Sequence, residues 1–208
     1  MKTEINLDTW KRKSHFEFFS AMDEPFYGLT VEIDVTQAYK KAKELKTSFF
    51  IYYLYATLKT INELPAFKLR IDNGKVFQHD RIDASSTVLK ENETFGFSHI
   101  IYHADFVVFQ DSVKQEIARV QQTDTLLTKD DYGDNIIHFS AVPWVNFTSL
   151  THARGFKHPD SSPKVSIGKM IDKNDRKFFN VALFAHHGLV DGIDMGRFFD
   201  LFQDILNE

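Results

Sequence analysis

Apolar positions change period several times along the chain, and each change marks an element. Asp8–Met22 carries Trp10, Phe16, Phe18 and Phe19 among charged residues and reads as a short helix. Leu29–Val35 alternates (LTVEIDV) as a strand does. From Thr36 the stretch TQAYKKAKELK puts Ala38, Ala42 and Leu45 on one helical face. Ser48 then stands as the cap of a longer apolar helix, SFFIYYLYATLKTIN, which ends near Pro65. KLRI and KVFQH flank Asn73-Gly74, a strong hairpin signal, and STVLK and TFGFSHIIY follow as two further strands. Asp105–Gln122 returns to helical spacing through Phe106, Phe109, Val113, Ile117 and Val120.

The C-terminal third reads as strand, strand, strand, helix. NIIHFSAVPW is a strand running into a Pro-broken turn. VSIGKMI and FFNVALFAHH form a strand pair joined by Asp172–Arg176. Ile193–Leu206 is an amphipathic helix with Met195, Phe198, Phe199, Phe202 and Ile205 at helical spacing. This mixture predicts an α+β fold: a two-layer sandwich in which helices cover one face of a mostly antiparallel sheet. No repeat or linker divides residues 1–208, so they read as a single domain.

Composition narrows the function classes. With no Cys, a disulfide framework, thiolate zinc sites and a cysteine nucleophile are excluded. A formal net charge of -4 gives no basic field to hold nucleic acid. The longest apolar run, Phe49–Ala56, is too short to span a bilayer, and MKTEINLDTWKRK has no apolar signal core, so a cytoplasmic location is expected. Phe is unusually abundant, 21 residues against 2 Trp and 7 Tyr, more than a core of this size requires.

The stretch that carries chemistry is FAHHGLVDG, Phe184–Gly192. It leaves an apolar strand with two histidines, turns at a glycine and reaches Asp191-Gly192 at a helix start. Imidazole, with an unperturbed pKa of about 6.5, can accept a proton from a hydroxyl near neutral pH. On its own HxxxDG is a weak signal: a core histidine and a helix-capping Asp191 would give the same pattern.

Taken with TWKRKSHFEFF (Thr9–Phe19), ENETFGF (Glu91–Phe97) and HFSAVPWVNFTS (His138–Ser149), the segment resembles the chloramphenicol acetyltransferase family, in order and over nearly the whole chain. The resemblance implies the fold of CoA-dependent acyltransferases. It also implies a homotrimer with active sites at subunit interfaces, acetyl-CoA as co-substrate with no permanently bound cofactor, and a small alcohol as acceptor. His187 matches the catalytic base and Ser140 the donor to the tetrahedral intermediate. Asp191 and Arg12 match a structural pair that fixes the turn after the histidine, and His186 is read as a packed structural residue.

The same resemblance places Phe18, Phe19, Asp23, Tyr27, Phe95, Phe97, His138, His152 and Ser166 around the acceptor, and Trp144, Asn146 and Lys169 on the CoA side. Part of the Phe excess is thereby expected to line an aromatic pocket between subunits. The chain departs from the drug-resistance members around the acceptor. Phe184-Ala185 stand for Gln and a β-branched residue, Phe19 for a tyrosine, His138 for an asparagine and His152 for an aliphatic side chain. The expectation is O-acetyl transfer to another alcohol, with chloramphenicol a weak acceptor.

Three rival readings compete with this one. A non-catalytic trimer that binds a ligand or CoA would keep the fold and lose the base. Dihydrolipoamide acyltransferases share the HxxxDG ending, but their lipoyl and peripheral-binding domains have no counterpart here. His99 and His103, four apart on a strand, could face one ion, but no HExxH or third ligand accompanies them, so no metal is expected.

Overall fold

The computed structural model describes residues 1–155 and 160–208. The N-terminus begins with β1 (Lys2–Glu4) and α1 (Lys13–Ser20), followed by β2 (Phe26–Asp34), α2 (Thr36–Glu44) and α3 (Phe49–Glu63). A 3-10 turn at Pro65–Lys68 leads into β3 (Leu69–Asp72), β4 (Lys75–His79), β5 (Asp83–Leu89) and β6 (Phe95–Ile100). Then come α4 (Phe106–Gln121), β7 (Ile136–Val142), β8 (Lys164–Gly168), β9 (Ile171–Lys173), β10 (Arg176–His186) and α5 (Gly192–Asn207). Among the described residues no helix is long and apolar enough to cross a membrane.

The main sheet runs β2-β10-β8-β7-β5-β6, with β9 also paired to β10. Its pairs are antiparallel except at the centre, where β7 runs parallel to both β5 and β8. The Asn73-Gly74 hairpin is present but stands outside this sheet, joined by β1 in a small sheet ordered β1-β4-β3. Both turn residues have positive φ, 49° and 76°, which Asn and Gly accept most readily. β1 itself is an addition to the elements read from the sequence. It exists through long-range pairing (Lys2↔His79) that no local pattern announces.

Two boundaries move for identifiable reasons, and one expected cap does not form. The helix expected over Asp8–Met22 shortens to α1 because the preceding residues turn, Thr9 N–H donating to Asn6 O (3.3 Å) and Trp10 N–H to Leu7 O (3.3 Å). VSIGKMI splits into β8 and β9 where Lys169 N–H leaves the ladder and donates to Val145 O (2.9 Å). Ser48 occupies the position before α3 but makes no side-chain capping bond. That helix ends at Leu64, whose extended backbone is the conformation favoured before Pro65.

Helices pack on one face of the main sheet. From β10, Phe179, Val181, Leu183 and Ala185 point into this core, with Val165 and Ile167 of β8 and Ile137 and Phe139 of β7. α3 contributes Leu54, Leu58 and Ile61, and α5 contributes Met195, Phe198 and Phe202, all fully buried. Each such side chain contributes about 1.5–3 kcal/mol of burial, against the entropy of ordering it. Alternation along the same strands sends Ala182, Phe184, Lys164, Ser166, His138 and Ser140 to the opposite face, which carries no helix among the described residues. Gly28 of β2 pairs with Phe184, and the ring lies where a side chain would be: a Cβ there would sit 2.5 Å from it.

Candidate active site

His187 follows directly on the last residue of β10. Its own N–H donates to Pro25 O (2.8 Å), which ties the turn to the start of β2. The imidazole is held between two rings, stacked on Phe19 (3.9 Å between centroids) and Tyr27 (4.2 Å). Its Nδ1 is buried without a hydrogen-bond partner among the described residues. Tyr27 pairs with Ala185 and therefore lies on the helix-covered face. Burial pushes its phenol up to about 12, with the charges of Asp191 and Asp194 adding, so the hydroxyl keeps its proton. His186 turns the other way, meets Phe26 edge-on (5.8 Å) and accepts the Gly188 N–H at Nδ1 (3.1 Å). Burial lowers His186 to about 4, which leaves it neutral and structural.

The turn after the histidine is fixed from two sides. The Arg12 guanidinium pairs with the Asp191 carboxylate, and Nη2 of the same group donates to His187 O (3.2 Å). Asp191 is also the cap of α5: Oδ1 accepts from Ile193 N–H (3.1 Å), and the Asp194 carboxylate accepts from Asp191 N–H (3.2 Å). The capping and the ion-pair readings of Asp191 thus coexist. Burial alone would raise this carboxyl, but bonding to Arg12 holds it below the usual carboxylate range.

Ser140 sits on β7, on the helix-free face. Register places side chains there in two rows, one across four strands and one across three. One row is Ser85, His138, Lys164 and Phe184; the next is Ser140, Ser166 and Ala182, with Thr87 of β5 lining the same cavities as Ser140. Ser166 is fully buried and its hydroxyl lacks a partner among the described residues. Ser140 belongs to the lining of two cavities. One, of about 560 Å³, is apolar, walled by Phe50, Val88, Leu89, Phe95, Ile117 and Trp144. The other, of about 480 Å³, is the polar cavity only in the sense that it gathers Thr87, His138, His152, Arg154, Asp160 and Lys164; most of its wall is apolar, with Phe97, Leu127 and Ile136 contributing.

Charge in the polar cavity is paired. Lys164, itself buried, pairs with Asp160, donates to Ser162 O (3.2 Å) and stands 4.6 Å from the Phe26 ring centroid. Burial works to raise Asp160, and the lysine charge reverses this and holds the carboxyl low. Burial pushes His138 down to about 4, with the Lys164 charge adding. His152, edge-on to Phe184 at 5.2 Å, is lowered by the same two causes. Arg154 pairs with Glu24 and lies over the Phe26 ring, 3.8 Å from its centroid.

The residues expected around the site therefore fall into separate groups. Phe19 and Tyr27 enclose His187, whereas Phe97, His138, Ser140 and His152 meet at the polar cavity. The structure does not bring His187 and Ser140 together within one chain. Asp23 lines neither of the two cavities described above; it borders a third, of about 350 Å³, beside His186 and Arg154. Phe18 does not face a cavity with these groups: it is 63 % exposed, edge-on to Phe19. Phe95 and Trp144, 44 % and 67 % exposed, border the apolar cavity.

Asn146 is turned away from the cavities, its Oδ1 accepting from Asn180 Nδ2 (3.1 Å), and Lys169 is exposed and lines none of them. The His99–His103 face does not form, because β6 ends at Ile100. His99 instead approaches Lys129 (2.7 Å) and Asp83 (3.8 Å). Among the described residues no group of three or more His, Cys, Asp or Glu could hold a metal ion. Lys164, Asp160 and Arg154 were missed. Extending the alternation of VSIGK one residue back to Lys164 would have placed that lysine beside Ser166 on the helix-free face.

Comparison with known proteins gives this geometry a context. A family profile described as chloramphenicol acetyltransferase matches residues 1–203. A chloramphenicol acetyltransferase of Klebsiella sp is 28 % identical over 207 residues, 99 % of this chain and 94 % of that protein. One of Staphylococcus aureus is 27 % identical over 204 residues, 97 % of each. A solved chloramphenicol acetyltransferase superposes with a TM-score of 0.90 at 32 % identity, covering 99 % of this chain and 100 % of the other. A dihydrolipoamide acetyltransferase of Azotobacter vinelandii shares the fold at 14 % identity and a TM-score of 0.73, over 94 % and 86 % of the two chains. With the profile spanning nearly every residue, this chain belongs to the chloramphenicol acetyltransferase family.

Proposed function

We propose that this chain moves an acetyl group from acetyl-CoA directly to the hydroxyl of a small alcohol, with His187 as general base and Ser140 as the oxyanion donor. Family membership makes the chain an acyltransferase, and the position of Ser140 between two cavities supports the assignment of parts. The apolar cavity bordered by Trp144 suits the thioester arm of acetyl-CoA. The polar cavity suits the acceptor, and the hydroxyl between them lies where the two substrates would react.

The chemistry follows from these positions. Nitrogen of the His187 ring takes the acceptor's hydroxyl proton as that oxygen attacks the thioester carbonyl carbon. Negative charge develops on the carbonyl oxygen, where the Ser140 hydroxyl donates; one such donor is worth about 2.7–4 kcal/mol in the transition state. The tetrahedral intermediate collapses by breaking the C–S bond, and the departing thiolate recovers the proton from the imidazolium. No covalent enzyme intermediate is needed, in keeping with the absence of Cys.

His187 and Ser140 do not meet within one chain, so the reading includes a homotrimer in which one subunit's histidine faces the neighbour's serine. Exposed Phe18, Phe95 and Trp144 supply apolar surface for such an interface. The cytoplasm, as a compartment with acetyl-CoA, is the location that goes with it. The test is CoA release from acetyl-CoA across a panel of alcohols. Parent protein should release thiol and His187→Ala should lose at least two orders of magnitude. Equal activity in the variant would exclude His187 as the base, and a parent inert with every acceptor would favour the non-catalytic trimer.

A further inference from the structure

The polar cavity beside Ser140 has a specific chemical character, and reading it deepens the acetyltransfer proposal, on which it rests. Its floor is the β5 and β7 part of those rows, where the hydroxyls of Ser85, Thr87 and Ser140 and the imidazole of His138 face one space. His152 closes it from the loop after β7, and its Nε2 is buried without a hydrogen-bond partner among the described residues. Phe97, Leu127 and Ile136 form an apolar flank that makes up the larger part of the wall.

The charged groups at the rim are already matched. Lys164 is occupied by Asp160, by Ser162 O and by the Phe26 ring, and Arg154 pairs with Glu24. A charged ligand would have to break one of these pairs. Neutral imidazoles and hydroxyls, by contrast, each offer both a donor and an acceptor. At about 480 Å³ the space lies within the range of roughly 300–1,000 Å³ typical of pockets that bury a small molecule.

We infer that the acceptor is a neutral alcohol carrying several hydroxyl groups, of the sugar or cyclic-polyol kind, bound between the polar floor of His138, Ser140 and His152 and the apolar flank of Phe97. An apolar aryl alcohol would cover the same floor and leave its buried polar groups unmet, at a cost of about tenfold in affinity for each. The apolar side of a sugar ring can lie on Phe97 while its hydroxyls meet the strands.

The experiment measures kcat/KM for CoA release by the full chain with acetyl-CoA and methyl glucoside, maltose or myo-inositol. Chloramphenicol, benzyl alcohol and octanol are run beside them. At least one polyol should exceed every apolar alcohol by tenfold or more. His152→Leu and His138→Leu, each alone, should shift the polyol-to-apolar ratio at least tenfold toward the apolar alcohols. A ratio is independent of how much of a variant is folded. An apolar alcohol in first place, or a ratio that neither substitution moves, would overturn the inference and leave acetyl transfer standing. His187-dependent hydrolysis of acetyl-CoA that no polyol accelerates would do the same. Absence of both transfer and His187-dependent hydrolysis would remove the acetyltransfer reading and this inference together.

Discussion

If each active site combines His187 of one subunit with Ser140 of its neighbour, two inactive variants must rescue one another. The perturbation is a pair of single substitutions, His187→Ala and Ser140→Ala, expressed separately and together. Geometry motivates it. β7 and β10 are separated by β8, so their axes lie about 10 Å apart in the sheet. The His187 ring is clasped by Phe19 and by Tyr27 of the helix-covered face, whereas Ser140 projects from the other. A rotamer change cannot carry the imidazole through the sheet to the serine.

The expected magnitude follows from symmetry. Removing the oxyanion donor costs about 10²–10³ in rate, and removing the base about 10²–10⁴, so each variant alone retains on the order of 1 % or less. In a cyclic trimer the two faces of an interface differ, and every mixed trimer contains one intact His187–Ser140 junction of its three. Equal, random mixing makes about three-quarters of trimers mixed and restores about one-quarter of parent activity. Two affinity tags, one per variant, would isolate mixed trimers, which should show about one-third of parent kcat with unchanged KM. Activity no higher than the sum of the separate variants would refute the shared site.

Three further outcomes are open to measurement. Gly28→Val places carbon within 2.5 Å of the Phe184 ring and should lower stability by about 1–3 kcal/mol, with Phe184→Ala in the same chain recovering part of it in a denaturant titration. Arg12→Met removes the bond to His187 O and the partner of partly exposed Asp191; unfolding should cost about 1–2 kcal/mol less, between surface and buried pairs, with kcat falling more than KM rises. His138 and His186 are held at about 4 against 6.5 unfolded, so between these values the unfolded chain binds more protons and stability falls as pH falls. The melting temperature should therefore drop below about pH 6.5, before the low-lying carboxylates titrate, and His138→Asn should flatten that slope.

Local pattern was enough where one element carries its own evidence. α5 combines a helical run of buried Met195, Phe198, Phe199, Phe202 and Ile205 with Asp191 as cap, and the expected helix and the observed one differ only at the ends. The Asn73-Gly74 turn was equally plain. Helices on one face of a mostly antiparallel sheet also followed from the order of elements, although the parallel centre, β5-β7-β8, did not, because crossover connections leave no period in the chain. β1 and the shortened α1 were invisible for the same reason. Their limits come from pairing with β4 and from turns at Asn6–Trp10, neither of which is an apolar repeat.

The candidate site divides along the same line. His187, Ser140, Asp191 and Arg12 are proposed from short motifs, and of these the pairing of Arg12 with Asp191, which also reaches the His187 carbonyl, is present in the structure. Lys164 was not legible: a single lysine beginning KVSIG looks like a strand end meeting solvent. Its meaning appears only in register, where β8 sets it beside His138, and β5 sets Ser85 beside that histidine. Parity then says more than either residue alone. Core-facing Ile137, Phe139, Val165, Leu183 and Ala185 fix which alternate positions face away, so Ser140 and Lys164 must share the helix-free side while His187, clasped by Tyr27, does not. If His187 is the base and Ser140 the oxyanion donor, they can serve one reaction from opposite sides of one sheet only if a second copy of the sheet closes the gap.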